Sequence, residues 1–128
     1  MQQLNTTLDH LIFGCYSLDE AVDFIDQQLG VQAETGGRHL TMGTYNKLLK
    51  LDDTTYFEII AIDPEGKKPD RPRWFNMDKF RPGSKPQLIT WVVRTNDIQQ
   101  AVGLPIVGAS VRLCDSTLTK FNSIKSFI

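Results

Sequence analysis

The 128-residue sequence predicts an α+β protein built on a β-α-β-β-β module. Three observations carry this: short apolar runs of strand length, one amphipathic helix with start and stop signals between the first two of them, and the return of the opening pattern 80 residues later. Leu8 to Phe13 is an apolar run with His10 as an inward polar residue, bounded by Gly14, which suits a strand. Ser17-Leu18-Asp19-Glu20 has the form of a capping box, in which the Ser hydroxyl and the Glu carboxylate each satisfy a helix N–H. Leu18, Ala21, Val22, Ile25 and Leu29 follow at helical spacing, and Gly30 stands where a left-handed cap ends a helix. The helix is therefore expected over residues 18–29, with Asp19, Glu20, Asp23 and Asp26 in water. Val31 to Glu34 reads as a short strand and Thr35-Gly36-Gly37 as a turn. Asn46 to Leu51 and Thr55 to Ile62 are β-rich runs joined at Asp52-Asp53.

Residues 63–87 differ. Five of the six prolines fall here, with seven basic and four acidic side chains, so the segment reads as a linker or surface loop, part of which packs through Trp74, Phe75 and Phe80. Beyond it, an offset of 80 lays Leu88 on Leu8, Thr90 on His10, Ala101 on Ala21 and Val102 on Val22. The same offset lays Asp97-x-x-Gln100 on Ser17-x-x-Glu20. Gly103-Leu104-Pro105 then stops the second helix early, because proline lacks the N–H and clashes with the preceding turn. Ile106 to Cys114 reads as a strand, and Leu118, Phe121 and Ile124 or Lys125 as one helical face. The expected organisation is a first module over 1–62, a Pro-rich charged linker over 63–87 and an incomplete second module over 88–128.

A formal charge of -1 gives no whole-chain attraction to nucleic acid or anionic membrane, and no apolar run reaches the ~20 residues of a membrane helix. The first residues lack the basic and apolar regions of a secretory signal, and Cys15 and Cys114 make no disulfide framework. The expectation is a cytoplasmic, reduced, soluble protein with neither nucleic acid nor membrane as partner. Cys15, with no basic neighbour in sequence, reads as structural.

Alternation along strands puts Leu8, His10 and Ile12 on one face and Tyr56, Glu58 and Ile60 on one face. An imidazole and a carboxylate suit a divalent cation such as Zn²⁺, Mn²⁺, Fe²⁺ or Ni²⁺, although a catalytic site normally supplies three ligands or more. The alternative is a hydrogen-bonded core histidine with Glu58 paired to an arginine. Gly36-Gly37-Arg38-His39 either presents a guanidinium and an imidazole to a carboxylate or phosphate, or is an exposed turn. Arg71-Pro72-Arg73-Trp74-Phe75 interleaves cations with aromatics, as a surface for single-stranded nucleic acid does, but its prolines and neighbouring acids favour instead a packed linker in which Trp74 covers a cavity or anchors the loop.

Taken together, Leu8-Asp9-His10-Leu11, Ser17-Leu18-Asp19-Glu20-Ala21, Leu29-Gly30-Val31, Gly36-Gly37-Arg38-His39, Met42-Gly43-Thr44 with Asn46, Leu48-Leu49, Tyr56-Phe57-Glu58-Ile59-Ile60 and Arg71-Pro72-Arg73-Trp74-Phe75 resemble the glyoxalase-like domain proteins of the vicinal oxygen chelate superfamily, over about residues 6–102. The resemblance implies paired modules whose mixed sheet curls into a cup around a small ligand, with helices on its outer face. It implies a divalent metal held by His10 and Glu58 and acting as Lewis acid, as in lyases and dioxygenases, with Glu58, His39 and Arg38 as catalytic candidates. Arg38, His39, Asn46, Tyr56 and Trp74 are the implied ligand-binding residues. Thr90 stands where the second module would offer its histidine, and no second run like Tyr56-Phe57-Glu58 follows Val102. Half of the metal shell is thus missing. Either a second subunit completes the cup, or a chemistry without metal operates, or the chain is a non-catalytic binding or sequestration protein or an inactive shortened member of the family. A curled sheet that lacks strands exposes its edges, so a homodimer is expected.

Overall fold

The computed structural model describes residues 3–102 and 109–113. Its strands are β1 (Thr6–Cys15), β2 (Glu34–His39), β3 (Thr44–Lys50), β4 (Tyr56–Ile62), β5 (Gln87–Thr95) and β6 (Ala109–Leu113), with helices α1 (Leu18–Leu29) and α2 (Ile98–Val102) and a short 3₁₀ segment at Trp74–Lys79. The strands form one curled mixed sheet in the order β2-β3-β4-β1-β5-β6, so the fold is α+β. β4 runs parallel to β1 and β6 parallel to β5, while β1 and β5 meet antiparallel at the centre.

The central strands are apolar on both faces because both are covered. Phe13, Ile59 and Ala61 pack with Leu18, Ala21 and Ile25 of α1. Ile12, Ile60 and Val92 pack on the opposite face against Phe75, Met77 and Phe80. The Pro-rich segment therefore lays its aromatic residues across the concave face of the sheet.

The 80-residue offset is built into the pairing. His10 pairs with Val92 and Ile12 with Thr90, two pairs that the offset interchanges, and Leu11 pairs with Trp91, its own counterpart. Each central strand also carries a bulge, at Asp9 in β1 and at Ile89 in β5, again 80 apart.

Several expectations are corrected. α1 spans the expected residues and ends on Gly30 at φ 66, but Ser17 makes no side-chain cap bond, and Leu29 is 61% exposed instead of packing with the apolar stripe. The side-chain cap forms at α2, where Asp97 Oδ1 accepts the Gln100 N–H at 3.0 Å. The strand expected at Val31 to Glu34 starts at Glu34, and Gly36-Gly37 lies inside it. The glycines sit at a register irregularity between Thr35 and Arg38, and the reversal follows them, with Met42 and Gly43 both donating to the His39 carbonyl. The bulge at Asp9 moves Leu8 opposite Val93, to the other face from His10. The expected face at Leu118, Phe121 and Ile124 or Lys125 lies outside the described residues.

Candidate functional site

A continuous polar chain crosses five neighbouring strands on the concave side. In β2 the Gly37 N–H donates to Asn46 Oδ1 at 2.8 Å. Asn46, in β3, donates from Nδ2 to Glu58 Oε2 at 2.6 Å. Glu58, in β4, lies with Oε1 3.4 Å from His10 Nε2. His10, in β1, shares its Nδ1 with Asp9 Oδ2 at 2.7 Å, and Asp9 Oδ1 meets Arg94 Nη1 of β5 at 3.5 Å. His10 and Glu58 come together because parallel pairing sets Ile12 opposite Glu58 and His10 opposite Tyr56, whose ring stacks on the imidazole at 4.4 Å.

Both heads are buried, His10 at 0% and Glu58 at 1% exposure. Among the described residues neither His10 Nε2 nor Glu58 Oε1 has a hydrogen-bond partner, and 3.4 Å is long for a bond between them. Asp9 Oδ2 accepts the Nδ1–H, so a neutral His10 directs its Nε2 lone pair at a carboxylate oxygen. Two such acceptors in a low-dielectric interior require positive charge between them. In the protein alone a proton supplies it: burial opposes the imidazolium, but Asp9 and Glu58 outweigh burial and raise the His10 pKa above 6.5. Burial likewise opposes the Glu58 carboxylate, yet His10, Asn46 and His39 hold its pKa below 4.5.

The same pair fits a divalent cation as half of a shell. Coordination bonds of about 2.1 Å leave neighbouring ligand atoms roughly 3.0–3.4 Å apart. Among the described residues no group of three or more His, Cys, Asp or Glu is arranged to hold a metal ion. In the second half, Thr90 lies opposite Ile12 and Ser110 opposite Val92, the register positions that His10 and Glu58 hold in the first.

His39 borders this pair. Its Nδ1 lies 2.9 Å from Thr44 Oγ1, and its Nε2 lies 3.5 Å from Asn46 Nδ2 and 3.9 Å from Glu58 Oε2. Since Asn46 Nδ2 can only donate, the network assigns Nδ1–H to Thr44 and a lone pair to Nε2. Burial lowers the His39 pKa and Glu58 offsets this only in part, so the ring is neutral at pH 7. Trp74 meets His39 edge-on at 5.0 Å, and its indole Nε1 is buried with no hydrogen-bond partner among the described residues.

Arg38 stands apart. As the strand neighbour of His39 it turns to the helix-bearing face, where Nη1 donates to Asp63 Oδ2 at 2.6 Å, Nη2 to Glu65 Oε2 at 2.7 Å, and the guanidinium lies over Tyr45. The structure thus gathers His10, Glu58, His39, Asn46, Tyr56 and Trp74, and separates Arg38 from them. No arginine pairs with Glu58 among the described residues. The sequence reading missed Asp9, Thr44 and Arg94. Asp9 precedes the histidine directly, and on a regular strand it would face away from it; the bulge is what turns it in.

A family model of the glyoxalase-like domain matches residues 8–103, three-quarters of the chain. The chain belongs to the glyoxalase-like domain family. This places the glyoxalase-like chain in the vicinal oxygen chelate superfamily. Among solved structures it is similar to the Streptomyces coelicolor methylmalonyl-CoA epimerase in complex with 2-nitronate-propionyl-CoA, at 19% identity and TM-score 0.52, covering 74% of this chain and 66% of that one. It is also similar to the methylmalonyl-CoA epimerase from Mycobacterium tuberculosis, at 19% identity and TM-score 0.50, covering 73% and 57%. A hypothetical protein from Bacillus halodurans C-125 matches at 13% identity and TM-score 0.53, covering 76% and 64%. At these identities the likeness is one of fold, and the glyoxalase-like chain spans less than two thirds of each of these proteins. No curated protein matches it. No described helix is long and apolar enough to cross a membrane.

Proposed function

We propose that the protein holds a small polar organic ligand in the hollow of its sheet, beside a divalent cation that His10 and Glu58 would hold. The observation that carries this is the pair of buried polar atoms, His10 Nε2 and Glu58 Oε1, that face each other at 3.4 Å without a hydrogen-bond partner among the described residues. A cation bound there supplies Lewis-acid polarisation of ligand oxygens, the chemistry of a lyase- or dioxygenase-like reaction. Asp9 fixes the His10 tautomer and Asn46 fixes the Glu58 carboxylate, the outer contacts that orient metal-binding side chains. Neutral His39 offers Nε2 as a proton acceptor beside Glu58, and the Trp74 N–H is a free donor to a ligand oxygen. The organic acyl-CoA ligand in the S. coelicolor relative supports a small organic molecule as occupant.

The test is elemental analysis of purified protein with Zn²⁺ or Mn²⁺ titration calorimetry. About one ion per chain or per dimer, lost in His10→Ala and Glu58→Gln, is the expected result. Absence of both native metal and micromolar binding in the parent overturns it.

A second reading is favoured by Thr90 and Ser110, which occupy in the second half the register positions that His10 and Glu58 hold in the first. In it the hollow binds its ligand without metal or turnover, and ligand-induced thermal stabilisation persists in chelator. Either reading is compatible with a homodimer in which a second copy packs against this sheet. Static light scattering giving twice the chain mass at micromolar concentration supports the dimer, and the chain mass alone rejects it.

A further inference from the structure

An open cleft of about 470 Å³ lies where the loop after β4 meets the β2–β3 turn. That volume falls within the roughly 300–1,000 Å³ of small-molecule sites. Its walls bring three cations, Lys67, Lys68 and Arg71, against one acid, Asp70, and Leu40, 81% exposed, supplies an apolar side. Arg38, Arg73, Arg94 and Lys50 all pair with carboxylates. Among the described residues Lys67, Lys68 and Arg71 make no direct ion pair, although Lys68 lies near enough to Asp78 to help lower its pKa, and the contact of Arg71 is its Nη2 on the Met42 sulfur at 3.5 Å.

The walls are also fixed against each other. Gly43, at φ 61, packs so closely that an added Cβ would lie 2.6 Å from the Lys67 carbonyl and 3.4 Å from Pro69 Cδ. The Gly43 carbonyl accepts the Asp63 N–H at 2.9 Å, which ties the turn to the start of the loop. The backbone therefore holds like charges around one hollow, and a multivalent anion relieves their repulsion. We infer that this cleft binds the phosphoryl group of a small phosphorylated organic molecule whose carbon frame packs on Leu40. Two ammonium groups and a guanidinium match a dianion better than a single carboxylate.

Calorimetry of the full chain at low ionic strength with inorganic phosphate, pyrophosphate and acetate tests this. Saturable phosphate and pyrophosphate binding is expected, with acetate at least tenfold weaker. Lys67→Ala/Lys68→Ala should weaken pyrophosphate at least tenfold, and Arg71→Ala should add to the loss. These side chains are exposed, so thermal melts should match the parent. His10→Ala should leave pyrophosphate binding unchanged, which separates this cleft from the cation site proposed above. Acetate binding equal to phosphate, a double variant that binds like the parent, or a loss confined to His10→Ala overturns the inference.

Discussion

Asn46 shows how one short side chain can organise a site. Its carbonyl oxygen accepts from Gly37 and its amide donates to Glu58, so both ends of the amide are used in a buried place. Removing it leaves a backbone donor and a carboxylate oxygen short of partners, and an unmet buried polar group costs about 1–3 kcal/mol. Asn46→Ala should accordingly lower unfolding free energy by about that amount in urea titration, and a loss under a few tenths of a kcal/mol would show that the amide is dispensable. Cys15 is the opposite case, a polarisable group with no chemistry to perform. Its thiol donates to the Ile60 carbonyl at 3.3 Å, and burial, aided by Glu20, pushes its pKa up to about 12. The thiolate is the reactive form, so Cys15 should resist iodoacetamide at pH 8 in native protein and react after denaturation. Peptide mass spectrometry reads this at Cys15, and prompt native alkylation there would contradict it.

At the scale of elements, what was legible and what was not divides along the bulges. Within a regular strand the side-chain period is two, so His10 and Glu58 could be assigned to inward faces from spacing alone, and parallel pairing then brought them together. A bulge changes the face of everything beyond it without changing composition. That is why Asp9 escaped notice and why Leu8 was expected beside His10. The glycines at 36 and 37 were ambiguous for a related reason, since a turn and an irregular strand both use them. Their neighbours resolve it: a Cβ on Gly36 would lie 2.0 Å from Asn46 Oδ1 and 2.6 Å from the Asn46 carbonyl, whereas one on Gly37 would meet nothing within 4 Å. Gly36 is thus the space into which Asn46 folds on its way to Glu58. Gly36→Ala should cost about 1–3 kcal/mol through overpacking against backbone, and Gly37→Ala should stay within about 0.5 kcal/mol, the usual bound for an unconstrained surface change. Equal effects in thermal melts would reject the close-approach account.

At the scale of the molecule, the two halves share a backbone plan and differ in chemistry. The offset that lays β5 on β1 preserves the pairing and the bulge, but it replaces Asp9-His10 with Ile89-Thr90. Ile89 packs towards Phe80 and Val92, so the second half spends its bulge on the apolar cover and the first spends it on a charged pair. The charge of that pair makes global stability depend on pH in a way that reports its occupant. His10 has its pKa raised, so its contribution is fully present below 6.5 and is lost as pH rises through the raised value. Glu58 has its pKa lowered, so its contribution is present above 4.5 and is lost as pH falls through the lowered value. Metal-free protein should therefore be most stable between about pH 4.5 and 6.5 as far as this pair decides, with unfolding free energy declining on the alkaline side. His10→Gln should abolish that alkaline decline. Saturating Zn²⁺ or Mn²⁺ should abolish it too, because a cation held by His10 and Glu58 would compete with the proton and would bind more tightly as His10 deprotonates. Urea titrations from pH 5 to 9, with and without metal, separate the outcomes. If the decline is unchanged in His10→Gln, the proton does not bridge this pair, and if metal leaves the parent's profile unmoved, no cation takes its place.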